Sequence, residues 1–145
     1  MTKRIYAAGP IAGLTHLEVC LWRRQAEIYL APNVLLWPSI QNNHDAHVYP
    51  HLCNDTQIKM SDVFRHDMAQ LQLADAVLVG YPTGPVLSVG TGVECGVAME
   101  RGIPIVVWCS KDKAQVSGFI QEAAEMGMVT DDLYKACVFL REWLS

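Results

Sequence analysis

Hydrophobic positions along the chain change period several times, and each change predicts an element. Arg4 to Ala8 is a short run, apolar after its first residue, that ends at Gly9-Pro10, the pattern of a buried strand entering a tight turn. From Thr15 the period becomes helical: Leu17, Cys20, Leu21 and Ile28 recur at helical spacing, Thr15 is a suitable N-cap, and Pro32 is a stop. Val34 to Trp37 predicts a second strand. Ser61 with Asp62 as cap opens another helix, in which Met60, Phe64, Met68 and Leu71 share a face. Asp75 falls in a turn, and Ala76 to Gly80 gives a third strand. A loop from Pro82 to Pro85 leads into a helix from Ser88 to Glu100, which Gly102 ends before a strand from Ile103 to Trp108. Helical patterns over Val116 to Met126 and Asp131 to Leu144 complete the chain.

None of these strands alternates apolar with polar, and each is separated from the next by a helix, which together mean parallel strands covered on both faces. The expectation is a three-layer α/β, Rossmann-like (flavodoxin-like) open parallel sheet of four or five strands with helices on both faces, in a single domain over residues 1–145. Pro38 to about Lys59 is polar, rich in Asn, His and Pro, and has neither period, so it reads as a long loop, a kind that in compact domains usually carries function. In open sheets of this type ligands bind beyond the carboxyl ends of the strands. Gly9 to Gly13, the start of the Pro38 loop, and Tyr81 to Gly92 converge at that edge.

Composition narrows the function classes. The 145 residues are 51% hydrophobic and 18% charged, enough to bury a core and too apolar for a disordered chain. A net charge of −4 without a Lys/Arg cluster argues against polymeric nucleic acid as partner, while a small anionic ligand stays compatible. No apolar run has the length of a membrane span, and the N-terminal residues reach Gly-Pro too early for a secretory segment, so a cytoplasmic protein without a membrane partner is expected. The five cysteines, Cys20, Cys53, Cys95, Cys109 and Cys137, are odd in number and widely spaced, which disfavours a disulfide framework, and the last three sit in apolar stretches as small buried hydrophobes.

Chemistry concentrates in a few side chains. Ser88-Val-Gly90-Thr-Gly92-Val-Glu94 follows a strand and opens a helix, so backbone N–H groups and the positive helix end face the expected site, and Gly90 and Gly92 permit close approach of a ligand. Glu94 would stack over Gly90 and against Val97 and Ala98, a small and apolar face on which a solvated carboxylate is out of place; the plain alternative is a glutamate favouring the first turn of its helix. Asp67, three residues after Phe64 and four before Leu71, borders the apolar stripe of its own helix, with an exposed residue as the plain alternative. Two carboxylates at one sheet edge suit glycosidic chemistry, one attacking an anomeric carbon and the other moving a proton. Tyr6 and Trp37, near the ends of the first two strands, are either core residues or a stacking surface for a planar ligand. His44, His47, His51 and His66, with Cys53 and Asp45, raise a metal reading on the loop, against which stands a merely solvated segment.

Ile5-Tyr6-Ala-Ala-Gly9-Pro10-Ile11, His66-Asp67-Met through Ala74-Asp75-Ala-Val-Leu-Val, and Ser88-Val-Gly-Thr-Gly-Val-Glu94-Cys-Gly96 together resemble the nucleoside 2-deoxyribosyltransferase family, which includes base-exchanging transferases and 2'-deoxynucleoside 5'-phosphate N-hydrolases. The resemblance covers most of residues 4–125. It implies Glu94 as nucleophile, Asp67 at the base and sugar, and Tyr6 and Gly9 lining a nucleoside pocket; Pro10, Ile11, Trp37, Gly90 and Gly92 are further candidate binding positions by their place at the expected sheet edge. It also implies a homo-oligomer, most simply a dimer, and chemistry without metal or organic cofactor. Serine at position 88 looks like the monophosphate-hydrolase branch, and Val116-Ser117-Gly-Phe-Ile-Gln looks like the stretch whose serine reaches the phosphate in a neighbouring subunit. One departure stands out: Gly9-Pro10-Ile11-Ala12 replaces a Gly-Ser-Ile-Arg loop whose arginine grips phosphate, leaving Arg23 or Arg24 of the first helix as substitutes. The expected function is therefore cleavage of the N-glycosidic bond of 2'-deoxynucleosides or their 5'-monophosphates, by hydrolysis or by transfer. The alternatives are a non-catalytic nucleotide sensor and a metal-dependent hydrolase built on the His44–His51 loop.

Overall fold

The computed structural model describes residues 1–39 and 60–145. The elements run β1 (Arg4–Ala8), α1 (His16–Leu30), β2 (Val34–Leu36), α2 (Met60–Leu73), β3 (Ala76–Tyr81), α3 (Val89–Arg101), β4 (Ile105–Cys109), α4 (Gly118–Ala123), β5 (Val129–Thr130) and α5 (Leu133–Leu144). The five strands form one parallel sheet in the order β2-β1-β3-β4-β5, the flavodoxin-like arrangement, so the fold is a three-layer α/β Rossmann-like one. Alternate strand residues feed two cores. Ile5, Ala7, Ala76, Leu78 and Val106 pack under α1 and α5, against Trp22, Ala26, Leu30, Leu133, Ala136, Cys137 and Leu140. Tyr6, Ala8, Val77, Val79, Tyr81, Ile105 and Val107 face α2, α3 and α4, against Leu71, Cys95, Ala98 and Ile120. Every residue of β3 is buried, which is why its sequence shows no alternation.

Several expectations hold in detail. Thr15 caps α1 through a capping box with Glu18, and Gly102 ends α3 in the left-handed conformation. Cys20, Cys95, Cys109 and Cys137 are buried and unbridged. Among the described residues no helix is long and apolar enough to cross a membrane.

Other expectations need correction. The apolar series Leu17, Leu21, Ile28 of α1 faces outward, with Leu17 63% and Ile28 74% exposed, whereas Val19, Cys20, Trp22, Arg23, Ala26 and Leu30 face inward. The helix turns this way because Trp22, Ala26 and Leu30 fit the sheet and because the Arg23 guanidinium finds backbone carbonyls to bond beneath it, which offsets the cost of burying it. Asp62 lies within the first turn of α2 rather than at its cap. Phe64 is exposed. The helix expected over Val116 to Met126 is cut short to α4, which a 3-10 turn at Lys113–Gln115 precedes and a second 3-10 turn at Glu125–Gly127, with Met126 left-handed, follows. Val129–Thr130, which carried no strand expectation, extends the sheet at its far edge through Val107 and Trp108.

Gly80 is required by packing. It faces α1, and a Cβ there would stand 2.5 Å from two ring carbons of Trp22. Trp22 is itself held against Trp108, ring centroids 5.8 Å apart. Gly80→Ala is therefore expected to lose at least on the order of 1–3 kcal/mol of stability, measured by urea denaturation. An unchanged midpoint would show that the indole yields freely.

Candidate active site

A cavity of about 320 Å³ opens at the carboxyl ends of β1 and β3, within the size range of small-molecule sites. Its wall combines Gly9, Ile11 and Ala12 after β1, Pro38 after β2, Val63, Phe64, Asp67 and Met68 of α2, and Ser88, Gly90, Thr91, Val93 and Glu94 at the start of α3. The three loop segments expected to converge do so, and α2 supplies a fourth side. The exposed Phe64 is explained here, since it faces the cavity instead of the core.

Each carboxylate is placed by its helix. Glu94 is beyond the first turn of α3, in which there is no acidic residue, so favouring the helix dipole does not account for it. It is largely withdrawn from solvent, faces the cavity, and its Oε2 accepts the hydroxyl of Tyr6, which comes up from β1. Burial raises the Glu94 carboxyl to about 7; the Tyr6 hydrogen bond pulls down, the Asp67 charge pushes up and the Arg23 charge pulls down. Tyr6 is correspondingly held in its neutral, donating form, first by burial and then by the Glu94 charge. On α2, the Asp67 carboxyl is raised by burial, against the hydrogen bonds from His66 and Ser39. Asp67 Oδ1 lies 3.0 Å from His66 Nδ1 and accepts the Ser39 N–H at 2.5 Å.

The loop side of the cavity depends on glycine. Gly9 has φ +151°, and a Cβ on it would stand 2.3 Å from the carbonyl oxygen of Gly80, so any side chain would push the loop off the end of β3. Ser88 caps α3, its Oγ accepting the Thr91 N–H at 3.2 Å and the Thr91 hydroxyl at 2.9 Å. With Gly90 and Thr91 it brings the positive end of α3 to the cavity wall.

Not every candidate arrives at this cavity. Gly9, Ile11, Asp67, Ser88, Gly90 and Glu94 line it; Tyr6 stands behind it through Glu94; Pro10 is buried beside it. Trp37 packs between the cores below α1 and donates its indole N–H to Glu27 at 2.5 Å, which is the core reading of that residue. Gly92 and Ser117 line a neighbouring cavity of about 760 Å³ between α3 and α4, and Ser88 belongs to both. Of the two arginines considered for phosphate, Arg24 is exposed and Arg23 is wholly buried, its guanidinium on the Ala7 and Val19 carbonyls and not on the cavity wall. His44, Asp45, His47, His51 and Cys53 lie outside the described residues, and among the described ones no group of His, Cys, Asp and Glu is arranged to hold a metal ion.

The burial of Arg23, as distinct from its presence in the first helix, was not expected. A signal was present: Val19, Trp22, Ala26 and Leu30 share a helical face, and Arg23 falls within it.

No curated protein matches the chain significantly. The sequence profile of the family described as nucleoside 2-deoxyribosyltransferase matches residues 5–137, nearly the whole chain and every element around the cavity. The chain belongs to the nucleoside 2-deoxyribosyltransferase family, a family of enzymes.

Proposed function

We propose that this protein cleaves the N-glycosidic bond of 2'-deoxynucleosides or their 5'-monophosphates through a covalent glycosyl ester on Glu94. The observation that carries the reading is a largely buried carboxyl turned into a cavity, with one oxygen held by the Tyr6 hydroxyl and the other left for attack. In the first step a Glu94 oxygen bonds to C1' as the C1'–N bond breaks, and the electron pair of that bond leaves on the base. Asp67, or a water it holds, gives the departing nitrogen a proton; the raised affinity of Asp67 for a proton suits that role, which is worth about 10²- to 10⁴-fold. Tyr6 stabilises the charge on Glu94 without competing as an acid. In the second step water, or the nitrogen of an incoming base, attacks C1', the ester C–O bond breaks back to carboxylate, and the proton of the acceptor returns to Asp67. A 2'-deoxy sugar is favoured because a 2'-hydroxyl withdraws electrons from the cation-like transition state.

Two serines favour a phosphorylated substrate and water as acceptor. Ser88 sets a hydroxyl at the positive end of α3, where a 5'-phosphate would be received. Ser117 lies on the adjoining cavity, which Leu87 and Phe119 border as exposed apolar residues, a surface suited to a second copy of the chain that would bring the two sites together. The test is chromatography of products from a panel of deoxynucleosides and deoxynucleoside monophosphates, with and without a free acceptor base. Release of free base supports the reading, new nucleosides with added base assign transfer, and calorimetric binding without any product points to the sensor. Ser88→Asp is expected to weaken turnover of monophosphates by on the order of tenfold or more and to spare nucleosides, through repulsion between like charges. Equal loss on both would remove Ser88 from phosphate recognition.

A further inference from the structure

Asp67 meets two nitrogens, and both fall on the same oxygen. Its Oδ1 accepts the Ser39 N–H, from the backbone beyond β2, at 2.5 Å and lies 3.0 Å from Nδ1 of His66. Side chains of consecutive helical residues do not face one another, so helical spacing does not impose the second contact; the two side chains turn together to make it. The pair joins the cavity wall to solvent. The Asp67 side chain lines the wall and is 15% exposed, whereas that of His66 is 46% exposed and is not part of the wall. A carboxyl oxygen has two lone pairs in its plane, and two N–H donors occupy both. With Nδ1 protonated, a proton carried by Asp67 is therefore confined to Oδ2, which no donor among the described residues reaches. With the imidazole proton on Nε2 instead, Nδ1 would turn a lone pair toward Oδ1 and draw the carboxyl proton to itself, away from the cavity.

Resting on the reading of Asp67 as the acid that protonates the departing base, we propose that His66 is a positioning residue: it donates Nδ1–H to Asp67 Oδ1 and, with the Ser39 N–H, keeps the acidic proton on Oδ2, the oxygen left for the substrate. Burial supplies the affinity of Asp67 for a proton, and the two donors decide which oxygen carries it. His66 acts only through Asp67, since it is not on the cavity wall.

The experiment reads the imidazole first. ¹⁵N NMR of the full chain labelled in its histidine rings is recorded at alkaline pH, with His66 identified as the signal lost in His66→Asn. The proton is expected on Nδ1, the tautomer that free histidine disfavours, and Asp67→Ala returns it to Nε2. In turnover, His66→Phe keeps a ring without a donor and is expected to lose on the order of tenfold in kcat for base release, part of the roughly 10²- to 10⁴-fold that acid catalysis supplies. Its KM stays within about twofold, because the substrate is not touched. His66→Asn, whose amide nitrogen stands where Nδ1 stands, recovers most of the loss. A wild-type imidazole protonated at Nε2, an undiminished kcat in His66→Phe, or a loss that His66→Asn does not recover makes His66 an ordinary surface neighbour and overturns the proposal. The tautomer is read without turnover, so wild-type protein that releases no base, or Asp67→Ala that releases it at the full rate, refutes the acid reading separately from the contact.

Discussion

Glu94→Gln is expected to lose base release from any deoxynucleoside or deoxynucleotide that the wild-type protein cleaves, by on the order of 10⁴-fold or more, the scale seen when a covalent nucleophile is removed. The variant is informative because its geometry is conserved. The amide oxygen still accepts the Tyr6 hydroxyl, and the neighbouring cavity residues keep their places. What disappears is the charge, and with it the electron pair proposed to bond to C1'. Chromatographic quantitation of free base at substrate saturation checks this, together with mass spectrometry of the wild-type protein quenched during turnover, in which the glycosyl adduct is expected and in the variant is not. Turnover within a few fold of wild type would show that Glu94 forms no bond and that the cavity is built for another purpose.

The same substitution is expected to stabilise the fold at neutral and alkaline pH. The Glu94 carboxyl is displaced from its ordinary value of 4.5 to about 7, with burial the leading cause. A carboxyl whose folded value is raised binds its proton more tightly in the folded state. Its contribution is therefore most favourable below pH 4.5 and is lost as pH rises from 4.5 to about 7, after which the deficit is constant. The displacement is worth on the order of 3 kcal/mol. Glu94→Gln has no proton to lose, so urea denaturation at pH 5 and at pH 8 should show the variant gaining stability relative to wild type between the two. Parallel behaviour of the two proteins would mean that the carboxyl is well solvated in the folded state. A stable variant without activity is the expected signature of a group retained for chemistry at the expense of the fold.

Much of this architecture could be read in advance from short-range pattern. The runs Arg4–Ala8 and Ala76–Gly80 are apolar without alternation because they lie in the sheet interior, and such runs report burial on both faces directly. Thr15 with Glu18, and Gly102, announce helix ends because capping is local chemistry within one turn. Glu94 stood out as a carboxylate over glycine and alanine, a mismatch between residue and face that one helix suffices to display. Asp67 was weaker, since the same spacing fits an exposed position, and only the packing of α2 beside α3 puts it on the cavity wall.

What remained illegible required knowledge of a second element. The rotation of α1 was misjudged because Leu17, Leu21 and Ile28 outweigh Arg23 in any count of hydrophobic residues, although Arg23 is the one buried. Ser117 and Gly92 fell on the neighbouring cavity, which α3 and α4 enclose together and neither helix displays alone.

Taken alone, the order of residues determined a parallel α/β sheet, its glycine turn, its capped helices and a carboxylate out of place on its helix face, the one proposed to carry the chemistry. These depend on periodicity, backbone conformation and capping, all of which act within a few residues. The folded molecule decided which side of α1 is inside, that Tyr6 holds Glu94, and that a guanidinium is buried against the Ala7 and Val19 carbonyls. A buried polar group is stable only where partners from other elements meet it, and those partners come together only through the packing of the sheet and its helices.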